Sequence, residues 1–547
     1  MELKDYIKKL IDTALIKSNI NYSDYLIEEP KNPDFGDLSS NVALALAKTL
    51  KKSPRIIAEE LVQSFELDNE IIEQVNIAGQ GFINFKFSRK LYPVLLKDVL
   101  DDKEDYGRNN SGKDKKVNVE YVSVNPTGLL HIGHGRNACI GDTIANLFEW
   151  NGWEVTREYY FNNAGNQMKN LAVSIYARYK QLLGEHDFPF PEDGYHGEYI
   201  KAIAAELNEK HGDAYKKGSD EDLNFIRKFG ENWCFDKIKA TLLRLNIKQD
   251  VFFNEDSLYH DGKIEKLIMD LKKLNLVYEK DGALWLALSK MGLNDDRVIV
   301  KSTGEPTYRL PDIAYHRDKF ERGFDLLIDI FGADHIATIP DVLAALKFLG
   351  FDTAKVRVLI HQFVTLTENG EQVKMSKRTG KSYTLDDLLD EVGEDVVRFF
   401  LIMRGISTHL EFDLGLAKEQ SEKNPVFYLQ YAHARICSVL DIAKERGVDF
   451  DKKPNLNLLE NNYEIELIKK ILKFKEIVKI TCDKCEPQIL ADYLRELANA
   501  FHIFYHECRI LGADEDLQTA RLNLSLATKV TLKNGLSILG INAPERM

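Results

Sequence analysis

The sequence predicts an α/β protein whose largest domain is a Rossmann-like, doubly wound parallel sheet, and three observations lead to this prediction. In the middle of the chain, short β-branched apolar runs alternate with longer helical patterns, which is typical of parallel sheets covered by helices. One such run, 117–124, passes through a glycine-rich corner into a helical pattern that ends near Trp150. The 547 residues suffice for about three or four domains, so we expect others to flank the sheet.

Composition is that of an ordinary globular protein, with 44% apolar and 29% charged residues. No apolar run approaches the roughly 20 residues that span a bilayer, and the first residues lack the apolar core of a signal peptide. Six cysteines are too few for a disulfide framework in so long a chain, so we expect a cytoplasmic protein without a membrane partner. The net charge of −13 argues against general polyanion binding, so any nucleic acid must be held by local basic patches.

Residues 1–110 are predicted to form a small α+β domain. Its predicted elements are two helices and a pair of strands, at 3–17, 41–51 and 71–87. Ser39 precedes the second helix and is a candidate for its N-cap. The charged segment 103–116, which also contains asparagine and glycine, is interpreted as a linker, with a surface loop as the alternative.

Residues 111–382 are predicted to form the parallel-sheet domain. Its strand candidates are 117–124, 154–160, 298–301, 326–331 and 356–362. A mostly helical, charged stretch at about 166–296 is interpreted as an insertion between the two halves of the sheet, because parallel strands tolerate long crossovers. A connecting helical segment, 383–425, should lead to an all-α bundle at 426–547. The predicted helices of that bundle are 428–443, 464–478, 487–511 and 518–539.

The corner after the first strand has the chemistry of a phosphate site. A turn at 125–128 is followed by His131-Ile132-Gly133-His134, which opens a helix whose N-terminus offers free N–H donors and a partial positive charge. Two histidines in a helix-start turn could also be plain surface residues. A second element argues against that reading: the basic run 374–381, just past the last strand, suits a loop that closes over polyphosphate, although such a run alone is usually solvated surface.

Together the two elements resemble the two signatures of class I aminoacyl-tRNA synthetases, H-I-G-H and K-M-S-K-R, which stand about 240 residues apart. The sequence V-E-Y-V-S-V-N-P-T-G-L-L-H-I-G-H-G-R around the first is similar to the arginyl-tRNA synthetase version. Further similar segments are E-Y-Y-F-N-N-A-G-N-Q, T-Y-R-L-P-D-I-A-Y-H and the terminal A-P-E-R-M. N-P-D-F-G-D-L-S-S-N resembles that family's N-terminal, tRNA-contacting domain, and Y-L-Q-Y-A-H-A-R-I resembles its anticodon-binding domain, so the resemblance covers the whole chain.

The resemblance implies an ATP-dependent ligase that forms arginyl-adenylate from L-arginine, releases pyrophosphate and transfers arginine to the terminal adenosine 2′-hydroxyl of tRNA(Arg). It implies that tRNA is bound before activation, that Mg²⁺ shares the phosphate charge, and that the enzyme is a monomer. The substrate carboxylate is already ionised at neutral pH, so its attack on the α-phosphate needs no general base. Catalysis is then positioning and neutralisation of charge.

By the same resemblance, four side chains neutralise phosphate charge: His131, His134, Lys374 and Lys377. The remaining residues assigned to ATP are Gly133, His361, Gln362, Met375 and Ser376. The residues assigned to arginine are Glu120, Asn125, Tyr308, Asp312 and Asp334. Carboxylates suit this substrate because they make bidentate bonds to a planar guanidinium that lysine cannot copy. Some relatives place a glutamine after the fourth strand, where this chain has Gly332-Ala333-Asp334-His335, so Asp334 is assigned to the α-ammonium group.

Three other interpretations of the sequence compete with this one. Cys482, Cys485, His502 and His506 imitate a zinc finger, but 488–506 is one continuous helical pattern where a finger needs a hairpin, so no zinc is expected. A class I synthetase for another amino acid is the second rival. A tRNA-binding paralogue without catalysis is the third, and it ranks last because both histidines and both lysines of the motifs are present. Stacking on unpaired tRNA bases is assigned to three residues of the bundle, Tyr428, Tyr431 and Arg435.

Overall fold

The computed structural model describes residues 3–333, 336–373, 383–449 and 454–547. The N-terminal region is a four-stranded antiparallel sheet of order β1-β2-β4-β3 with helices packed against it. Its elements are α1 (Leu3–Lys17), β1 (Ile27–Glu28), β2 (Leu38–Ser40), α2 (Val42–Leu50), α3 (Pro54–Ser64), β3 (Ile72–Ala78), β4 (Phe82–Phe87) and α4 (Leu91–Asp102). The α+β prediction is confirmed. The prediction that Ser39 caps the second helix is wrong, because Ser39 lies in β2. The N–H of Val42 donates instead to the hydroxyl of Ser40 at 3.2 Å.

The segment 103–116, interpreted above as a linker, is held to the C-terminal helices at its start and to the end of the helix 132–150 further on. The side chain of Asn534 donates to the carbonyls of Lys103 and Tyr106, both at 2.9 Å. Tyr106 is buried, and its hydroxyl donates to the carbonyl of Ile471 at 3.0 Å. A tyrosine among charged residues was the local sign of this packing.

The centre of the molecule is a five-stranded parallel sheet of order β12-β11-β5-β6-β7. The first part of this region contains β5 (Lys116–Glu120), α5 (Ile132–Trp150), β6 (Glu154–Phe161), α6 (Gly165–Leu182), α7 (Glu198–His211), α8 (Asp220–Arg244), β7 (Val251–Asn254), α9 (Asp256–His260) and α10 (Lys263–Lys273). The second part contains β8 (Val277–Lys280), β9 (Ala283–Leu286), β10 (Arg297–Val300), α11 (Arg309–Glu321), β11 (Leu326–Gly332), α12 (Ile339–Phe348) and β12 (Val356–His361).

Two strand predictions need correction. The run 298–301 is a strand, but β10 pairs antiparallel with β9 in a separate three-stranded sheet and not with the parallel sheet. The fifth parallel strand is β7, which lies inside the range interpreted as an insertion and was missed because it has only four residues. The predicted strand 117–124 also ends early, at Glu120, because Val122 and Ser123 adopt positive φ angles of 69° and 47° that an extended strand does not allow.

The last part of the chain is helical, as predicted, apart from short strands that join the two regions. The connecting elements are β13 (Val364–Glu368), β14 (Glu371–Gln372), α13 (Leu385–Val392), α14 (Glu394–Ile402), β15 (Leu410–Asp413) and α15 (Leu414–Lys418). The bundle contains α16 (Pro425–Glu445), α17 (Asn462–Leu472), α18 (Phe474–Lys484), α19 (Gln488–Glu507) and α20 (Glu515–Ile538). The single helix predicted at 464–478 is therefore two helices, which meet at Lys473.

Arg398 of α14 ties the sheet region to the bundle. Its side chain is 1% exposed, and its guanidinium donates to the carbonyls of Leu539 and Leu245 and to the carboxylate of Asp142 on α5. The Leu539 carbonyl lies just past α20, and the Leu245 carbonyl just past α8. No helix within the described residues is long and apolar enough to cross a membrane.

Candidate active site

The two histidines at the start of α5 form a compact corner. The N–H of Gly133 donates to Nδ1 of His131 at 3.1 Å, and the N–H of His131 donates to Nδ1 of His134 at 3.3 Å. The two rings stack with centroids 3.5 Å apart. A Cβ atom on Gly133 would stand 3.0 Å from Cε1 of His131, so glycine leaves room for this stack.

Both imidazoles are neutral in this environment. Burial lowers the pKa of His131. Burial, with smaller effects from His131 and His361, lowers the pKa of His134 to about 3. A neutral ring whose Nδ1 accepts carries its hydrogen on Nε2, so both rings have one N–H free to meet a ligand at the helix N-terminus. The predicted corner is therefore a pair of hydrogen-bond donors without charge.

His361 and Gln362 lie at the end of β12, on the same side of the sheet as the corner. His361 is 9% exposed and close enough to His134 to affect its pKa. The carbonyl of Gln362 accepts a hydrogen bond from Arg136 of α5 at 2.8 Å. The sequence placed both residues in the adenine pocket, and the structure brings them to the histidine corner.

Asn125 lies in the turn between β5 and α5 and is held from both sides. Its side-chain oxygen accepts from the N–H of Asn162 at 2.9 Å, and its amide group donates to the side chain of Gln167 at 2.9 Å. Below it, the hydroxyl of Tyr159 donates to the carbonyl of Val124 at 2.6 Å. The turn is therefore positioned by β6 and by the residues that follow it.

Three carboxylates, Glu120, Asp312 and Glu255, come together beside this turn and are called the acidic pocket below. Burial, with the nearby charges of Glu120 and Glu255, raises the pKa of Asp312 to about 7 despite the opposing effect of His316. Glu255 is 8% exposed, accepts from the hydroxyl of Tyr160 at 2.6 Å, and has its pKa raised by burial. Within the described part of the chain, no cation forms an ion pair with Asp312 or Glu255.

Glu120 differs from the other two because it has a cationic partner. Lys319 of α11 pairs with one of its oxygens, and the hydroxyl of Ser123 donates to the other at 3.0 Å. Tyr308, at the start of α11, is 78% exposed. The N–H of Asp312 donates to the carbonyl of Tyr308 at 3.2 Å, so the two residues do lie one helical turn apart, as the sequence predicted.

Behind the acidic pocket lies a layer of buried ion pairs. Glu158, Glu120 and Asp329 are register partners on β6, β5 and β11, an arrangement of like charges that would repel without counter-ions. Lys319 is 0% exposed and joins Glu120 to Asp329, with 2.6 Å to the latter. Arg322 holds Glu158 through two bonds of 2.6 and 2.8 Å.

Histidine 316 completes this layer. Its Nε2 lies 3.0 Å from the carboxylate of Asp329, and its Nδ1 lies 2.8 Å from the carbonyl of Asp312. Burial lowers the pKa of His316, but the adjacent Asp329 outweighs it and raises the pKa overall. Burial opposes ionisation of Asp329, yet Lys319 and His316 keep the pKa of that carboxyl well below its usual range.

Sequence reasoning missed Glu255 and the whole ion-pair layer. The layer did have a signal, because Asp312, His316 and Lys319 follow one face of a helix at spacings of four and three. Glu255 directly follows the missed strand β7, so it could be found only after that strand was recognised. Of the predicted residues, Asp334, Lys374, Met375, Ser376 and Lys377 lie outside the described residues.

The predicted RNA-stacking residues lie together on α16. The guanidinium of Arg435 stands over the ring of Tyr431, 5.1 Å from its centroid. The ring of His502 on α19 lies 4.9 Å from that of Tyr428 and 6.1 Å from that of Tyr431. Next to them is an open cavity of about 570 Å³ that Tyr428 lines together with charged residues of both signs, which are Lys423, Arg495, Glu422, Asp492 and Glu496.

The cysteines and histidines of the zinc-finger rival are held by different helices. Cys482 and Cys485 are buried at the end of α18, where Arg357 donates to the sulfur of Cys485 at 3.0 Å. Residues 488–507 form one continuous helix, as predicted, so the stretch that leads to the histidines is not the hairpin that a finger requires. Among the described residues, no group of three or more potential ligands could hold a metal ion.

Three family models match successive parts of the chain. Residues 2–87 match the arginyl tRNA synthetase N terminal domain, and residues 95–401 match the catalytic domain of class I (R) tRNA synthetases. Residues 429–547 match the DALR anticodon binding domain. The order of the three matches follows the order of the structural regions.

Relatives and solved structures agree with these matches. The chain is 48% identical over 564 residues to arginine–tRNA ligase of Salinibacter ruber, covering 100% of both chains. It is 46% identical over 548 residues to the ligase of Shouchella clausii, covering 100% of this chain and 98% of the other. Arginyl-tRNA synthetase of Thermus thermophilus has a TM-score of 0.78 at 25% identity and 100% coverage of both chains. From end to end, this chain belongs to the arginyl-tRNA synthetase family of class I enzymes.

Proposed function

We propose that this chain is an arginine–tRNA ligase, which activates L-arginine with ATP, releases pyrophosphate, and transfers arginine to the 2′-hydroxyl of the terminal adenosine of tRNA(Arg). The acidic pocket carries the proposal. It holds the partly buried Asp312 and the buried Glu255, neither of which forms an ion pair with a cation of the described residues, and the strand and helix 116–150 connect it directly to the histidine corner.

The acidic pocket suits a guanidinium group for a charge-balance reason. Burial disfavours the ionised forms of Asp312 and Glu255, so the two carboxylates are poorly solvated for the charge that they carry. A guanidinium is always protonated and presents five donors in a plane, so it can satisfy two carboxylates at once. The oxygens of Glu120 each retain a lone pair for arginine after their bonds to Lys319 and Ser123. Tyr308 would lose its exposure by packing over the bound side chain.

The histidine corner supplies hydrogen-bond donors for ATP. The Nε2–H groups of His131 and His134 would follow the charge that develops on phosphate oxygens, in concert with the assigned Lys374 and Lys377. Neither imidazole serves as a base, because their lowered pKa values keep both rings neutral and the substrate carboxylate needs no deprotonation. Mg²⁺ would arrive with the ATP phosphates and supply further charge neutralisation. Asn125, between the pocket and the corner, would hold the amino-acid backbone.

The outer regions would bind tRNA(Arg). Tyr428 and Tyr431 offer ring faces to unpaired bases, and Arg435 adds a cation beside them. We assign residues 1–110 to tRNA contact, 426–547 to the anticodon, and 383–425 to the connection with the catalytic domain 111–382. The enzyme would act as a monomer in the cytoplasm.

The proposal is tested by ATP–pyrophosphate exchange with purified full-length chain, measured with arginine, lysine or glutamine and with or without tRNA(Arg). Exchange should depend on arginine and rise sharply when tRNA(Arg) is added. Exchange that lysine or glutamine supports equally well would contradict the assignment of the acidic pocket and favour a synthetase for another amino acid. Binding of tRNA without exchange would instead favour a non-catalytic protein.

A further inference from the structure

The turn at 124–128, which carries Asn125, is also held from a part of the chain more than seventy residues away. The hydroxyl of Tyr199 donates to the carbonyl of Thr127 at 2.8 Å. Tyr199 lies in the first turn of α7 and is partly buried. Burial raises the pKa of its hydroxyl above the usual value, so the group remains a donor at every pH that an assay would use.

Two glycines shape the space that Tyr199 occupies. A Cβ atom on Gly128 would stand 3.3 Å from the Tyr199 hydroxyl oxygen, and one on Gly197 would stand 2.4 Å from Cε1 of its ring. The turn and the approach to α7 therefore both lack a side chain where the tyrosine passes. This fit is independent of the hydrogen bond and supports a built contact between the two segments.

Helices α6, α7 and α8 form a body with a hydrophobic cluster of its own. Its buried members include Met168, Leu171, Ile200, Ile203 and Ile226, and this cluster is separate from the one that contains β5 and α5. Gln167 of α6 contacts Asn125, and Tyr199 of α7 contacts Thr127. The helical body thus contacts the turn at two points, on either side of Pro126.

We propose that Tyr199 is a positioning residue for amino-acid activation. Its hydroxyl fixes the Thr127 carbonyl and thereby sets where Asn125 stands between the acidic pocket and the histidine corner. Through this contact, helices α6–α8 support the turn that borders the arginine site. This inference rests on the proposed function, because it concerns the site at which arginine would bind.

The test is Tyr199→Phe, which removes one hydroxyl and keeps the ring in its space. Loss of one neutral hydrogen bond at the turn should raise the KM for arginine about fivefold and lower kcat of ATP–pyrophosphate exchange by a similar factor. The KM for ATP and the thermal midpoint should stay at the wild-type values. A smaller folded fraction lowers kcat but cannot change a KM, so the KM for arginine separates positioning from stability.

Tyr179→Phe is the matched control. Tyr179 is buried in the same helical body, and its hydroxyl also donates to a backbone carbonyl, that of Gly212 at 2.5 Å, away from the turn. Its KM for arginine should equal the wild-type value. Gly128→Ala should reproduce the Tyr199→Phe effect by displacing the hydroxyl. The double variant should then be little worse than either single one, because both changes break one contact.

The outcomes separate this inference from the proposed function. Wild-type protein without arginine-dependent exchange would contradict both. Wild-type exchange together with an unchanged KM for arginine in Tyr199→Phe would contradict the role of Tyr199 alone. An equal rise of that KM in Tyr179→Phe would also overturn it, because the effect would then belong to the helical body in general.

Discussion

The acidic pocket and the histidine corner lie at the two ends of the turn between β5 and α5, and loss of solvation shifts the pKa values of their side chains in opposite directions. At the corner, burial lowers the pKa of His134 and no anion among the described residues offsets this effect, so the ring stays neutral. In the layer behind the pocket, Asp329 and Glu158 remain ionised because Lys319, His316 and Arg322 face them. Asp312 stands between these cases, with a pKa of about 7 and no ion pair to a cation within the described part of the chain.

Among the described residues, the protein leaves the Asp312 carboxylate without an ion pair, so a cationic ligand can provide one. Buried carboxylates that have partners define the shape of the site, because removing a partner would strand a charge. A carboxylate held away from water without a cationic partner is costly until a cation arrives, and under the proposed function the substrate would supply that interaction. The histidine corner needs no counter-ion, because its hydrogen-bond donors are uncharged.

The largest expected effect comes from removing the unpaired charge. Asp312→Asn keeps the shape of the side chain but cannot form an ionic bond with guanidinium. The KM for arginine in the exchange assay should rise about 100-fold or more, as expected when one member of a buried charge pair is lost. Asp270→Asn is the control, since Asp270 pairs with Arg317 on the outer side of α11. An unchanged KM would remove Asp312 from the guanidinium site.

A smaller effect, confined to the other end, is expected from His134→Asn. Asparagine can still accept the His131 N–H and keep the helix start, but the Nε2–H donor is lost. The kcat for exchange should fall about 100-fold, as for other donors to a transition-state oxyanion, with the KM for arginine unchanged. His260→Asn, on an exposed side chain, serves as the control. A changed KM for arginine would mean that the two ends are not separate.

The smallest effect is a pH dependence that only the acidic pocket should show. The pKa of Asp312 is raised to about 7, so below that pH the carboxyl is increasingly protonated and cannot pair with guanidinium. The dissociation constant of arginine, measured by calorimetry between pH 5.5 and 8.5, should rise up to about tenfold for each pH unit below 7 and level off above it. Asp312→Asn should abolish this slope. A wild-type affinity for arginine that is independent of pH would contradict the protonation of Asp312 below pH 7.

Local patterns were enough to predict most of the fold. The strand and helix around the first motif, and the helices of the bundle, carry long apolar periodicities, and the family motifs supplied candidate residues for the histidine corner and the acidic pocket. The pattern failed where an element is short or its role depends on distant partners. Strand β7 has four residues, and nothing near Glu255 in the sequence indicates that it would face Asp312.

The ion-pair layer could not be predicted for a related reason. Lys319 is an ordinary lysine in a charged helix until α11 is laid against β5 and β11, and only then do its two carboxylate partners appear. The segment predicted at 298–301 shows the opposite case. It is a strand, as its composition indicates, but it pairs with β9 and not with the parallel sheet. Pairing and burial arise from the tertiary arrangement, which apolar periodicity does not encode.

Arg398 has a consequence for how the chain folds and how it can be divided. Its buried guanidinium draws acceptors from α5, from the residue after α8 and from the residue after α20. A Cβ atom on Gly540 would stand 2.2 Å from Nη2 of Arg398, so the guanidinium leaves no room for a side chain at this position. The sheet region and the C-terminal bundle therefore share this buried contact, and we expect neither to pack completely around Arg398 until residues 539 and 540 have been synthesised.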